Sequence, residues 1–473
     1  MPASITHAED GLPLPQRNWA ILTIVLGIVM AVIDGAIANV ALPTIAQDLN
    51  ASPSFSIWIV NGYQLAITIS LLPLAALGEI IGYRRVYLAG LALFTVASLL
   101  CALSHTLVLL TAARIVQGFG AAGIMSVNTA LVRFIYPRDR LGHGIGINAL
   151  VVAVAAAVGP TLASAILSVG NWPWLFAVNI PVGIAAVLVG RNALPHTPRA
   201  PHVFDWRGGV LCAITFGAGI AAIDSAGHGE AIYLYLLEFA AAAIACMALV
   251  RREMGASSPM LPVDLLRIPI FRLSICTSVA SFCAQMMAFV ALPFYLQGRF
   301  GYSAVEIGLL ITPWPIGVAL TAPIAGRLAE RHPAGLLGGV GLVVFAAGLA
   351  ALALLPAHPS LTDIVWRMAL AGAGFGLFQS PNNRTMIAAA PRERSGGASG
   401  MLGTARLLGQ TVGAALVAML MARYPVEGTR IAIGLGVGFA MAGAALSVLR
   451  LSSNGSQGGE VVRVLEAPRA TGE

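Results

Sequence analysis

The sequence contains no lysine; all 27 basic residues among its 473 positions are arginine. That excludes Schiff-base and other lysine chemistry. Charge of either sign is scarce: 10% of residues are charged, against roughly 25% in soluble domains. The five cysteines, Cys101, Cys212, Cys246, Cys276 and Cys283, lie in apolar segments with no C-x-x-C pairing. A disulfide framework and a thiolate metal site are thereby excluded, and packing duty is expected. No Walker loop is present, so ATP is not the direct energy source. The eight histidines, His143, His196 and His202 among them, fall in loops or near the ends of apolar runs. They lack metal-ligand spacing, and no Ser/His/Asp or Cys/His set accompanies them. An integral-membrane enzyme is therefore disfavoured, and no cofactor is expected.

Apolar residues are abundant: 58% of the chain is hydrophobic, with a mean hydropathy of +0.85. A soluble fold of this length has too little interior to hide that surface, whereas a bilayer removes the difficulty. The arginines are not patched, as nucleic-acid binding would require. They sit in short loops between apolar runs, the arrangement that membrane insertion demands. Fourteen runs long enough to span are centred near Val29, Ile67, Leu93, Ile124, Ala155, Val182, Ile214, Ala241, Ala284, Val318, Val344, Gly374, Ala414 and Val437. With the N-terminus inside, 21 arginines fall in cytoplasmic segments. Only Arg299, Arg423 and Arg430 fall outside, and Arg114, Arg367 and Arg406 lie within spans (21 + 3 + 3 = 27). A missed span would scramble this separation. The first apolar run has no cleavage site and is expected to be retained. The fold class expected is all-α and integral to the membrane, with fourteen transmembrane helices and both termini cytoplasmic.

Intramembrane charges and glycines recur at a near-constant offset. Glu79 matches Glu330 (330 − 79 = 251) and Arg114 matches Arg367 (367 − 114 = 253). Arg140, Gly142, Gly146 and Gly159 match Arg394, Gly396, Gly400 and Gly413, all at 254. The first six spans thus pair with the last six, as in transporters built from repeats with the substrate path between them. The expected organisation is a cytoplasmic segment 1–18, a six-helix bundle 19–192, and a linker 193–270 holding helices seven and eight. A second bundle follows at 271–450, then a disordered cytoplasmic tail at 451–473. The linker hairpin opens on Phe204-Asp205-Trp206-Arg207-Gly208-Gly209.

Four motifs carry a family resemblance. Ile33-Asp34-Gly35-Ala36-Ile37-Ala38-Asn39-Val40-Ala41-Leu42-Pro43 ends the first span. Arg114-Ile115-Val116-Gln117-Gly118-Phe119-Gly120 lies in the fourth, Gly159-Pro160 in the fifth, and Trp172-Pro173-Trp174-Leu175-Phe176-Ala177-Val178-Asn179-Ile180-Pro181 opens the sixth. Together they resemble the fourteen-helix drug:proton antiporter branch of the major facilitator superfamily, over about Trp19 to Arg450. The loop after the second span departs from that family's G-x-L-a-D-r-x-G-r-k pattern. Ala75 stands for the first glycine, Glu79 for the aspartate, and Ile80 and Tyr83 for basic residues, while Gly82, Arg84 and Arg85 remain. Ala155, Ala163 and Ser164 replace glycines expected around Gly159-Pro160.

Ionisable residues inside a membrane are costly and usually paired or functional. Asp34 lies about seven residues, roughly 10 Å, from the expected outer end of its span, and Arg114 about the same from the outer end of its own. A carboxylate that gains and loses an arginine partner changes its pKa between conformations, which proton coupling needs. The resemblance implies the same roles, with Asp34 as coupling carboxylate and Arg114 as its modulator. The alternative is a fixed pair that locks helix packing. Glu79, Gly82, Arg84 and Arg85 are expected to latch the halves, and Gly159-Pro160 to provide a close, bendable contact. Trp58, Asn61, Tyr63, Gln64, Trp314, Phe375, Phe378, Gln379, Asn382 and Asn383 are candidate walls of an apolar cavity with a few polar points. Arg367, Arg406 and Glu306 are charges without an assigned role. The function expected is export of lipophilic compounds, cations included, in exchange for protons by a monomer in the bacterial inner membrane. Transport of one metabolite or siderophore, and a passive channel, are the alternatives.

Overall fold

The structure, a computed structural model, describes the backbone of residues 11–137, 140–197, 199, 204–255, 263–390 and 395–465. Side chains at 141–143, 145, 146, 149, 153, 255, 395–397, 399 and 452–465 are not described. Of the expected features, residues 1–10, Arg138, Arg392, Arg394, His202 and residues 466–473 lie outside the described residues.

All described regular structure is helical, and fourteen helices are long and apolar enough to cross a membrane. They are α1 (Leu14–Asp48), α2 (Pro53–Ile81), α3 (Tyr83–Ala102), α4 (Leu107–Ile135), α5 (Leu150–Val169), α6 (Trp174–Ala193) and α7 (Trp206–Gly227). The others are α8 (Ile232–Met254), α9 (Pro269–Phe300), α10 (Ala304–Leu328), α11 (Ala334–Ala353), α12 (Leu361–Ala389), α13 (Gly400–Arg423) and α14 (Gly428–Leu451). Each of the fourteen expected centres falls in its own helix. The last helix continues past its span to Leu465. Residues 451–465, expected as disordered, are thus helical, because extending an existing helix avoids the cost of nucleation.

The helix ends are chemically marked. Thr106 caps α4 by accepting from Leu109 N at 3.2 Å. Ser303 with Glu306 and Ser360 with Asp363 form reciprocal capping boxes on α10 and α12. Asp205 caps α7 and takes bonds of 2.7 and 2.8 Å from Arg252 of α8. Those Arg252 bonds hold its carboxyl below the ordinary aspartate range. Inside the spans, hydroxyls bond carbonyls one turn back, as Thr95 does to Leu91 at 2.7 Å and Ser98 to Phe94 at 2.8 Å. A polar side chain is thus satisfied where no water can reach it.

Helix packing separates α1–α6 from α9–α14, while α8 pairs with α7 and α7 leans on α2 and α13. The two groups repeat a detail of construction. Gly90 of α3 lies so close to α4 that a Cβ there would sit 2.9 Å from the Gly120 carbonyl oxygen. Gly341 of α11 stands in the same relation to Gly374 of α12, at 2.8 Å. These glycines are related by 251 (341 − 90) and 254 (374 − 120) residues, the offsets already seen for the buried charges.

The two groups meet away from the termini. One apolar cluster joins Ile37 to Ala46 of α1 with Ala284 to Leu296 of α9. Thr161 of α5 bonds Thr312 of α10 at 2.8 Å, Ser164 bonds the Val305 carbonyl at 2.8 Å, and Thr68 of α2 bonds Thr411 of α13 at 3.1 Å. At the arginine-rich end the cores are separate clusters. One is built around Ile24, Val86 and Ile135, with Leu407 of α13 reaching in; the other surrounds Phe271, Met386 and Met401. The shared apolar core thus lies at the end remote from the termini, while toward the basic end Gly400 and Gly403 of α13 still lie against Leu72 and Leu71 of α2.

Candidate functional site

Asp34 is 1% exposed at the middle of α1. Its Oδ2 accepts a bond from Arg114 Nη1 of α4, closing a buried ion pair. Its Oδ1 accepts from Gln117 Nε2 and from Asn179 Nδ2 of α6, each at 2.9 Å. Arg114 also donates to the Ile59 carbonyl of α2 at 3.2 Å and to Gln117 Oε1 at 2.5 Å. Its guanidinium lies 4.0 Å above the Tyr63 ring. Gln117 donates to Ser98 of α3 at 2.9 Å, and Tyr63 OH bonds the Ala31 carbonyl at 3.2 Å. Five helices of the first bundle thus converge on one carboxylate.

The common depth of Asp34 and Arg114 is observed, although α1 runs on to Asp48, so Asp34 lies deeper along its helix than seven residues. Gln117 and Asn179 were not singled out in the sequence, although both stand in the quoted motifs. Gln117 is three residues from Arg114, on the same helical face, and that spacing was a usable signal.

Gly159 sits against this centre. A Cβ there would meet Ala36 Cβ of α1 at 2.7 Å, two residues from Asp34. Pro160 faces the other bundle: its carbonyl is 2.6 Å from where a Cβ on Gly308 of α10 would fall. Gly159→Val is expected to separate α5 from α1 at an overpacking cost of about 1–3 kcal/mol. Transport at matched expression, set beside thermal stability, measures it: a fall in transport larger than the fall in stability marks a role in the conformational cycle.

Gly82 ends α2 at φ +100°, a backbone state that favours glycine. Tyr83 N donates to Thr197 Oγ1 at 2.9 Å, and Arg84 bonds His196 at 2.8 Å and the Arg191 carbonyl. In this conformation Arg84 therefore binds the end of α6 and the segment just after it, and not the second bundle. The cytoplasmic latch, Glu79 included, remains a proposal.

Several expected cavity walls lie elsewhere. Trp58 donates to Asp224 of α7 at 3.1 Å and ties α2 to the linker pair. Tyr63 covers Arg114. Trp314 is 1% exposed and packs on Phe289 and Phe345, with ring centroids 4.8 and 5.5 Å away. Phe375, also 1% exposed, packs on Phe282, Phe345 and Phe378. These rings form the core of the second bundle. The reason is close helix approach: Gly317 and Gly372 bring α10 against α12, and Gly341 and Gly374 bring α11 against α12, which draws these rings into the helix contacts.

Asn382 is fully buried. It donates to Ser278 at 2.7 Å and accepts from Arg450 at 2.7 Å. Arg450, counted in the sequence among loop arginines, is 2% exposed at the end of α14, where hydroxyls and an amide receive it. Asn61 and Gln64 are buried in α2, while Gln379 and Asn383 are half-buried in α12. Arg367 donates to the Ala351 carbonyl of α11 at 2.7 Å and stands 3.9 Å from Asp363, a helix-to-helix anchor. Glu306 is an exposed cap on α10.

Arg406 is different. Its Nε is buried with no hydrogen-bond partner. On α13, Gly403, Leu407 and Thr411 face α2, and Gly409 and Gly413 face α9. Arg406 lies on the arc between those two faces, directed between the bundles. No group of three or more potential metal-ligating residues occurs among the described residues.

A helical chain of two related bundles with a buried carboxylate–arginine centre is the architecture of a secondary transporter. The Major Facilitator Superfamily model matches residues 24–414 and 273–460, and the chain belongs to that superfamily. It is 56% identical to the uncharacterized transporter YebQ of Escherichia coli K12, over 94% of this chain and 97% of that one. It is 31% identical to the riboflavin transporter RibZ of Clostridioides difficile, over 86% and 89%. It is 30% identical to the multidrug resistance protein Stp of Mycobacterium tuberculosis, over 84% and 75%. Among solved structures, a bacterial homolog of the human lysosomal transporter Spinster superposes with a TM-score of 0.66 at 17% identity. That match covers 93% of this chain and 97% of the other. The protein is a multi-pass membrane transporter.

Proposed function

We propose that the protein exports lipophilic compounds in exchange for protons, with Asp34 as the proton-carrying group. The observation that carries this reading is the buried Asp34 carboxylate, held by Arg114, Gln117 and Asn179 beside the α1–α5 contact. An arginine contact favours the charged form of a carboxylate, and loss of that contact as the bundles rock favours the protonated form. Arg114 keeps the Ile59 and Gln117 carbonyls and the Tyr63 face, which tolerate it while Asp34 is neutral. Both bundles lie in one chain, so a monomer contains a complete path. The arginine distribution supports termini in the cytoplasm of a bacterium and an inner-membrane location.

Export of cations gains no support from the described interior. Asp34 is the only described carboxylate in the middle of a bundle helix, and it is occupied; Arg406 supplies an unpartnered positive charge. The reading therefore favours neutral or anionic substrates rich in acceptors, in keeping with riboflavin as the substrate named for one relative. Efflux of riboflavin and of neutral, anionic and cationic aromatic dyes from energised cells tests it. Protonophore-sensitive efflux of neutral or anionic compounds is expected; efflux indifferent to the protonophore contradicts proton coupling. Arg406→Gln is expected to reduce efflux of anionic dyes about tenfold, the worth of a charge-assisted bond of ~1.5 kcal/mol, and to spare neutral ones. Retained anion efflux in that variant removes Arg406 from the substrate path.

A further inference from the structure

At the basic end of the first bundle, a pocket of about 430 Å³ opens between the start of α3 and the segment that follows α6. Its size is within the ~300–1,000 Å³ of small-molecule sites. Arg84, Arg85, Arg191, Arg199 and His196 line it, and among the described residues no carboxylate does. Topology accounts for arginines at this end of the membrane but not for their convergence on one concavity. Arg84 is held there by the His196 ring at 2.8 Å and the Arg191 carbonyl, not by a carboxylate. Those bonds bring two guanidinium-bearing residues together without neutralising either. The first turn of α3 contains no acidic residue and has Arg84 and Arg85 instead, against the sense of the helix dipole. An anion in the pocket relieves both the mutual repulsion and the opposed dipole.

The surroundings indicate which kind of anion. Along α3, Leu93 and Val96 are exposed, and along α6, Ile184 and Leu188 are exposed. This outward apolar surface ends at the pocket, since Leu188 is one turn from Arg191 and Leu88 forms part of the lining. A molecule with acyl chains on that surface places its headgroup among the arginines. We infer that this pocket binds the phosphate of an anionic lipid from the adjoining leaflet. Arginine suits the task because its planar donors pair bidentately with phosphate oxygens, and basic pockets between spans at this depth suit lipid headgroups.

The test uses the full chain in nanodiscs of phosphatidylcholine with a minority of phosphatidylglycerol, and native mass spectrometry of the retained lipid. The intact protein is expected to retain phosphatidylglycerol over phosphatidylcholine. Arg84→Gln/Arg191→Gln is expected to lose that preference. Arg133→Gln/Arg251→Gln, which removes the same charge from exposed positions at the same end, is expected to keep it. Should the first pair fail to fold, Arg85→Gln/Arg199→Gln removes two pocket charges that make no hydrogen bond among the described residues. Equal loss in pocket and control variants, or no loss in either, overturns the site. Inorganic phosphate supplies the remaining arm. A saturable thermal shift with phosphate in neutral detergent, abolished by the pocket variants without any lipid preference, assigns the pocket to a soluble anion and overturns the lipid assignment.

Discussion

Asp34→Asn is expected to insert and fold, and to export no more than cells lacking the protein. The substitution keeps the shape of the side chain and an acceptor for Gln117 or Asn179, but removes the proton-binding group. It leaves Arg114 with the Ile59 and Gln117 carbonyls and the Tyr63 ring. If neutral Asp34 is a regular station of the transport cycle, the protein already tolerates that arrangement. Full-length protein recovered at wild-type levels, with protonophore-sensitive efflux absent, is the result expected. Efflux preserved in Asp34→Asn would make the ion pair a packing device.

Arg114→Ala is expected to behave differently, as a failure of stability. It leaves the buried Asp34 carboxylate without its cation, and removing one partner of a buried pair costs about 3–5 kcal/mol. Gln117 and Asn179 still donate to Oδ1, but no cation remains. Low yield and a lowered thermal midpoint in detergent are expected. The pair Asp34→Asn/Arg114→Gln is expected to recover much of that stability, because two neutral amides replace two charges, while export stays absent. A double variant no more stable than Arg114→Ala would mean that the arginine acts through packing, its stack on Tyr63 above all, and not through charge.

Much of the fold was legible because membrane insertion writes it in coarse symbols. A helix must be about twenty apolar residues long, and loops must sort their arginines. Asp34 and Arg114 were legible for the opposite reason, since a charge in such a run is costly unless it is used. The surroundings of the pair were only half legible. Gln117 and Asn179 are modest polar residues whose importance depends on which way their helices face.

Facing is also where the aromatic cavity failed. Trp314 and Phe375 are as apolar as a wall residue has to be, but the α9, α11 and α12 contacts draw them into the core of the second bundle. Arg450 was misread because a charge near a span boundary looks like a loop charge. The repeat itself is informative in its asymmetry. The position 254 residues after Asp34 is Ala288, while Arg367, the counterpart of Arg114, binds a backbone carbonyl. Among the described residues the second bundle has the frame of the charged centre without its carboxylate, in keeping with the role proposed for Asp34 in the first bundle.

The most direct test of proton exchange is proton movement driven by substrate. The protein is reconstituted in liposomes with a preset pH gradient and an internal pH dye, and riboflavin and the neutral and anionic aromatic dyes are added in turn. At least one compound is expected to collapse the gradient with the intact protein and none with Asp34→Asn. Compound uptake without proton movement, or a collapse that persists at the intact rate in Asp34→Asn, would contradict the account.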